Sequence, residues 1–122
     1  MNNEPLQRGE LAAAISSGVV SMLREYTGRG PTKAKAVLNR DTITVILTDT
    51  LTKGERKLAE NGSYQHVLDA RHQMQLIMRE DIVAMVESLT GREVIAFMSD
   101  NHIDPDMAAE VFVLQPLVEA AA

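Results

Sequence analysis

Residues 63–91 read SYQHVLDARHQMQLIMREDIVAMVESLTG, and their spacing decides the fold. Val67, Ala70, Met74, Ile77, Met78, Ile82, Met85, Val86 and Leu89 recur at intervals of three and four, the period of one apolar stripe on an α-helix. Ser63 suits an N-cap and Gly91 a stop, so a single helix is predicted over 64–90. Such a rod is roughly 40 Å long at the α-helical rise. A compact chain of this length has a diameter of about 35 Å. The rod overruns its own domain while its stripe reaches both ends. A second copy is the simplest cover, so a homodimer is expected.

Upstream, residues 5–26 read as a helix with Pro5 in its first turn. Leu11, Ile15, Gly18, Val19, Met22 and Tyr26 form its apolar stripe. Thr27-Gly28 supplies the left-handed stop, and Pro31 forbids resumption nearby. Residues 34–39 and 42–49 read as a hairpin turning at Asn39-Arg40-Asp41, with Ile43, Val45 and Leu47 alternating against a Thr-rich face. Thr52-Lys53-Gly54-Glu55 is a capping box that opens a short helix over 53–60, ended by Asn61-Gly62.

Downstream, residues 93–98 and 110–115 read as a second hairpin. Val94–Met98 and Val111–Leu114 are continuous apolar runs, which predicts strands covered on both faces. The acidic connection Ser99–Ala109 contains Pro105, and the tail 116–122 is expected to fray. The order is α-β-β-α-α-β-β. The fold class is therefore α+β: a four-stranded, mainly antiparallel sheet with helices packed mainly on one face. One domain is expected over residues 1–122, with its core at about 5–115.

The chain is 122 residues long and 45% apolar, which suits one core and excludes a disordered chain. It contains no Cys, so disulfides and thiolate metal sites are excluded. The N-terminus has no basic region followed by an apolar run, so no secretory signal is expected. Neither Leu11–Ile15 nor Ile82–Val86 approaches the length of a membrane span. The expected location is cytoplasmic, with any membrane role peripheral and through a partner.

The net charge of −5 argues against nucleic acid as a generic ligand. The charges are also segregated. Arg24, Arg29, Lys33, Lys35 and Arg40 face only Glu25 within residues 24–40. Glu93, Asp100, Asp104, Asp106, Glu110 and Glu119 have no base beside them in residues 93–122. These read as two solvated surfaces, complementary within a dimer, or as a basic stretch that receives an anion.

No stretch carries a reactive constellation. Gly28-Arg29-Gly30-Pro31-Thr32-Lys33 offers backbone N–H groups and charge to an anion, but it is neither a Walker loop nor a dinucleotide fingerprint. It also follows a helix C-terminus, whose dipole repels anions. A C-cap and turn is the plainer reading. His66, Asp69, Arg71 and His72 lack zinc-ligand spacing and read as a surface cluster of ion pairs. Asp100, His102, Asp104 and Asp106 alternate like calcium ligands but lack the glycine and distal glutamate of a calcium loop. An acidic 99–109 connection that discourages edge pairing is the simpler reading, with cation binding left open. No Gly-x-Ser-x-Gly elbow or distinctive carboxylate pair is found, so no catalytic residue, metal site or cofactor is assigned.

Several stretches together resemble the MpsC-like family: Thr27–Pro31, Leu51–Glu55, Arg71, Gly91–Val94, Ser99-Asp100 and Glu110–Leu114. Their order and spacing span roughly residues 5–115. The resemblance implies a bacterial component named for a sodium-translocating, membrane-potential-generating system, associated with ion movement and inorganic-carbon uptake. It implies that partner subunits carry the membrane spans, and it supplies no catalytic residues. The expected role is a non-catalytic accessory or regulatory domain acting by dimerisation and by contact with a membrane-system partner. The alternatives are a small-anion or nucleotide sensor and a nucleic-acid-binding regulator, both using the basic Gly28–Lys35 loop. The candidate anion- or partner-binding residues are Arg29, Gly30, Lys33, Lys35 and Arg71.

Overall fold

Helix α1 spans Arg8–Thr27 and buries Ile15, Val19 and Leu23 at helical spacing. Gly28, at φ 79°, ends it in the left-handed region by donating its N–H to the Arg24 carbonyl. The computed structural model describes residues 7–117. The helix start expected at Pro5 and most of the tail expected to fray lie outside that range. Strands β1 (Lys33–Asn39) and β2 (Thr42–Thr48) form the first hairpin. Helix α2 (Lys53–Glu60) and helix α3 (Tyr64–Thr90) follow, with the predicted bounds. Strands β3 (Val94–His102) and β4 (Met107–Leu114) complete an α+β fold.

The sheet order is β1-β2-β4-β3, and every neighbouring pair is antiparallel. The second hairpin therefore zips along the first, leaving β1 and β3 as edges. Both β3 and β4 run further than the apolar residues predict. Asp100, Asn101 and His102 pair with Ala109, Ala108 and Met107, so the acidic connection shrinks to residues 103–106. Backbone pairing to a neighbour outweighs the poor strand preference of Asp and Asn.

Helices α1 and α3 cover one side of the sheet, and α2 packs on α3. Ile43, Val45 and Leu47 of β2 join Ala108, Phe112 and Leu114 of β4 in the core. Helix α1 lies over β1, where Ala34 and Ala36 are partly buried against the core, and it also packs on α3. Helix α3 lies over β3 and contributes Met78, Ile82 and Val86. The Phe97 and Phe112 rings sit 4.9 Å apart as cross-strand partners.

Three expectations change. First, α3 does not project bare at its N-terminal end. Helix α2 packs on it there, and Val67 and Arg71 are buried. Ala70 and Ile77, assigned to the buried stripe, are exposed instead. A straight helix has 3.6 residues per turn, so a stripe drawn over seven turns drifts around the axis. Second, Ser63 stands at the N-cap without a side-chain cap hydrogen bond. Third, β3 and β4 are covered on one face only. Ile95 and Met98 are half exposed.

Helices α1 and α3 cross closely at Gly18, where an added Cβ would lie 2.7 Å from Met85 Sδ. Gly18→Leu is expected to cost about 1–3 kcal/mol by forcing that contact apart. Met85→Ala in the same chain is expected to recover part of the loss, read as a less-than-additive shift in urea denaturation.

Candidate functional site: an arginine–carboxylate clasp at one end of the sheet

After β2 the chain must turn from one end of the sheet into α2, and residues 49–51 make that corner. Asp49 takes a positive φ of 61°. Thr50 and Leu51 are buried, so their peptide groups need protein partners. Two distant arginines supply the donors. Arg29 Nη1 donates to the carbonyls of Asp49 at 2.6 Å and Leu51 at 3.0 Å. Arg71 Nη2 donates to the Thr50 carbonyl at 2.6 Å.

Asp106 supplies the acceptors. Its carboxylate takes the Thr50 N–H at 3.0 Å, the Thr50 hydroxyl at 2.9 Å and the Leu51 N–H at 2.9 Å. The Asp106 carbonyl accepts the Asp49 N–H at 3.0 Å. Every backbone polar group of the corner is thereby paired.

Carboxylates then hold the arginines. Glu55 accepts from Arg71 Nε at 2.7 Å and Nη2 at 2.6 Å, a bidentate fork on a guanidinium that is 6% exposed. The same Glu55 completes the predicted capping box: its carboxylate accepts the Thr52 N–H at 2.8 Å, and its own N–H donates to Thr52 Oγ1 at 3.2 Å. Burial opposes ionisation of Glu55, but the Arg71 and Thr52 hydrogen bonds outweigh it, and its pKa lies below the ordinary value. Asp49 pairs with Arg29 at 2.7 Å and Arg56 at 2.9 Å. The Arg29 hydrogen bond, working against burial, holds the Asp49 carboxyl below the usual range.

The predicted site residues thus divide. Arg29 and Arg71 converge on residues 49–51, and their charge is used inside the molecule. Gly30 serves close packing, since a Cβ there would meet the Arg24 guanidinium and Val20 at 3.2 Å. Lys33 and Lys35 are exposed on β1, on the sheet face away from the helices, and do not join the clasp. The expected ion pairs around His66 and Asp69 give way to a Gln65–Asp69 hydrogen bond at 2.8 Å, and Arg71 turns inward. Of the acidic connection, Asp106 belongs to the clasp. Among the described residues, no three His, Asp or Glu side chains are placed to hold a metal ion.

Asp49 and Thr50 are clasp members that the sequence reading passed over, and Asp106, read there as part of an acidic connection, is a third. Their partners stand up to 56 residues away, beyond any local spacing rule. The one available signal was the family pattern, which already contains Arg29, Glu55 and Arg71.

Beneath the clasp, Glu110 of β4 points into the core at 3% exposure. Its Oε2 and the Oγ of Ser99, its cross-strand partner, lack a well-formed hydrogen bond among the described residues. Burial pushes the Glu110 carboxyl up to about 7, and the nearby Ser99 hydroxyl only partly offsets this. Glu110 and Arg71 border one small cavity of ≈ 10 Å³, the size of a single water.

These features define a small α+β domain whose polar centre is organised as a structural clasp. The chain belongs to the MpsC family, described as the Na+-translocating membrane potential-generating system (MpsC), which matches residues 7–116. No curated protein and no solved structure matches it. No described helix is long and apolar enough to cross a membrane.

Two outcomes test this assignment. Glu55→Ala strands the buried Arg71 guanidinium and is expected to cost about 3–5 kcal/mol of unfolding free energy. Replacing both partners, Arg71→Met with Glu55→Gln, is expected to cost less than the two single losses added together. Glu110 has a raised native pKa, so the stability it permits is full below the ordinary value of 4.5 and lost as pH rises through about 7. Urea titrations are expected to show a loss on the order of 3 kcal/mol between pH 4 and pH 8 from this group. Glu110→Gln is expected to remove that dependence and to be the more stable chain at pH 8.

Proposed function

We propose that the chain is a non-catalytic accessory component of a membrane-potential-generating system, acting by dimerisation and by docking on a membrane-embedded partner. The observation that carries this reading is the apolar surface that one copy leaves uncovered. Val37, Ile46 and Met98 are exposed on the sheet, and Leu76 and Ile95 beside the edge strand β3. A groove of ≈ 690 Å³ runs between α3 and the edge strand β3, lined by Leu76, Val83, Val94 and Ile95. Arg79 reaches across it, 5.5 Å from the Phe97 ring centroid. An unpaired strand edge beside a helix face that mixes Leu76 and Val83 with Arg79, Glu80 and Glu87 suits a protein segment better than a small anion.

Charge supports the same preference. An anion sensor in the Gly28–Lys35 loop would need the Arg29 guanidinium, which is already bonded to residues 49–51. Lys33 and Lys35 remain available, as do Asp100 and Asp104 on the acidic hairpin. Exposed charges of both signs set partner choice and encounter rate.

The test is fractionation and membrane potential in the native cell. The full chain is expected to sediment with membranes and to be released by salt. Loss of the gene is expected to lower the potential read by a voltage-sensitive dye. A Leu76→Glu/Ile95→Glu chain, altered only at exposed positions, is expected to stay folded but fail to restore it. A chain that never sediments with membranes, and whose loss leaves the potential unchanged, would defeat the proposal.

A further inference from the structure

The sheet has one face buried by helices and one face open. Four cross-strand rows make up the open face. Their order, read from β1 through β2 and β4 to β3, is Lys33-Thr48-Met107-His102, Lys35-Ile46-Ala109-Asp100, Val37-Thr44-Val111-Met98 and Asn39-Thr42-Val113-Ala96. The two middle rows carry exposed apolar side chains beside Lys35, Thr44 and Asp100: Ile46 is 36% exposed, Val37 51% and Met98 54%. A sheet face bound for water carries polar residues in alternation. Here the runs Val94–Met98 and Val111–Leu114 are apolar at every position, the pattern of strands covered on both sides.

Charges on this face are sorted by edge. Lys33 and Lys35 lie on β1 and Asp100 on β3, and none of them makes an ion pair among the described residues. Lys35 and Asp100 also occupy the same cross-strand row, at its opposite ends. A shallow hollow of ≈ 210 Å³ lies near the Asp100 end, bordered by Ile46, Ala109, His102 and Met107.

We propose that this open face is a self-association surface on which a second copy of the chain packs face to face, about a two-fold axis running along the strands between β2 and β4. The inference rests on the dimer reading above and gives it a surface. Rotation about such an axis exchanges β1 with β3 and β2 with β4 while keeping each row in place. Lys35 of one copy then lies over Asp100 of the other, twice per dimer. Val37 lies over Met98. The bulky Ile46 lies over the small Ala109, at the hollow. An isologous contact requires this self-complementarity, and aligned sheets meet at about 30° with their side chains interdigitated.

The face measures roughly 19 Å by 23 Å at ordinary strand spacing and rise. That is smaller than the usual patch of about 800 Å² per partner, so the dimer is reversible and concentration-dependent. Salt weakens it, because the Lys35–Asp100 pairs sit at the rim.

Sedimentation velocity on the full chain, from micromolar to several hundred micromolar, is the test, with circular dichroism confirming that each variant is folded. Lys35→Glu and Asp100→Lys place like charges opposite each other, and each is expected to weaken dimerisation about tenfold or more. The double variant Lys35→Glu/Asp100→Lys restores opposite charges and is expected to return to within about threefold of the wild-type constant. Ile77→Glu, on the exposed side of α3, is expected to leave it unchanged. A wild-type dimer indifferent to both single reversals overturns this face and leaves the dimer reading standing. A double variant that stays weak overturns the two-fold register. A wild-type chain that is monomeric throughout overturns both, and another occupant then covers the sheet.

Discussion

Buried peptide groups cannot be left without partners, and residues 49–51 are where this fold meets that constraint most sharply. Their carbonyls face inward at a corner where neither sheet nor helix can serve them. Two guanidiniums and one carboxylate, from α3, the loop after α1 and the β3–β4 turn, serve them instead. A net gain of about 1 kcal/mol per hydrogen bond understates what is at stake. Removing any one member leaves a desolvated donor or acceptor behind. The clasp therefore couples elements that are far apart in sequence, and the sheet's helical layer is tied to its strands at that end.

The opposite end uses the same chemistry with one arginine. Arg92 donates to the Arg40 carbonyl at 3.1 Å, to Asp41 Oδ1 at 2.6 Å and to the Gln115 carbonyl at 2.8 Å. The β1–β2 turn, the start of β3 and the end of β4 are thus held together. Leu114 N donating to the Asp41 carbonyl at 2.7 Å adds a backbone tie between the same segments. Between these two fastened ends the middle of the sheet is held by packing, with Phe112, Ile43 and Val45 at 0–1% exposure. Polar bonds fix the corners, and apolar area holds the span.

Much of this was legible locally. Helices α2 and α3 follow from a capping box, a glycine stop and a stripe, all signals within a few residues of one another. The β1–β2 hairpin follows from alternation. Strand ends were less legible, because whether Asp100 to His102 extend β3 depends on what β4 offers opposite them. The clasp was the least legible. Arg29 and Arg71 stood out as family-pattern cations suited to an anion or partner. The structure gives both of them carboxylates of this chain, a pairing that no spacing rule connects. Glu110 was hidden for a different reason. Counted with the acidic residues of 93–122 it reads as part of a solvated surface, and only its place in β4, in register with Ser99, turns it to the core.

The uncovered apolar surface sits elsewhere than the length of α3 alone predicts. From length alone, α3 should overrun the domain and seek a second copy for its stripe. Instead the chain folds α2 back onto the N-terminal part of α3, where Val67 is 1% exposed and Arg71 is tied to α2 through Glu55. The N-terminal part of the long helix is thereby sheltered by its own chain, and no helix remains for the second face of the sheet. Three helices cannot cover both faces of four strands when one of them is a lid for another. The strands nevertheless carry side chains suited to double cover, from Val37 at one edge to Met98 at the other. The uncovered apolar area therefore lies mainly on the sheet, spread over the half-exposed Val37, Ile46 and Met98 rather than concentrated in one helical stripe.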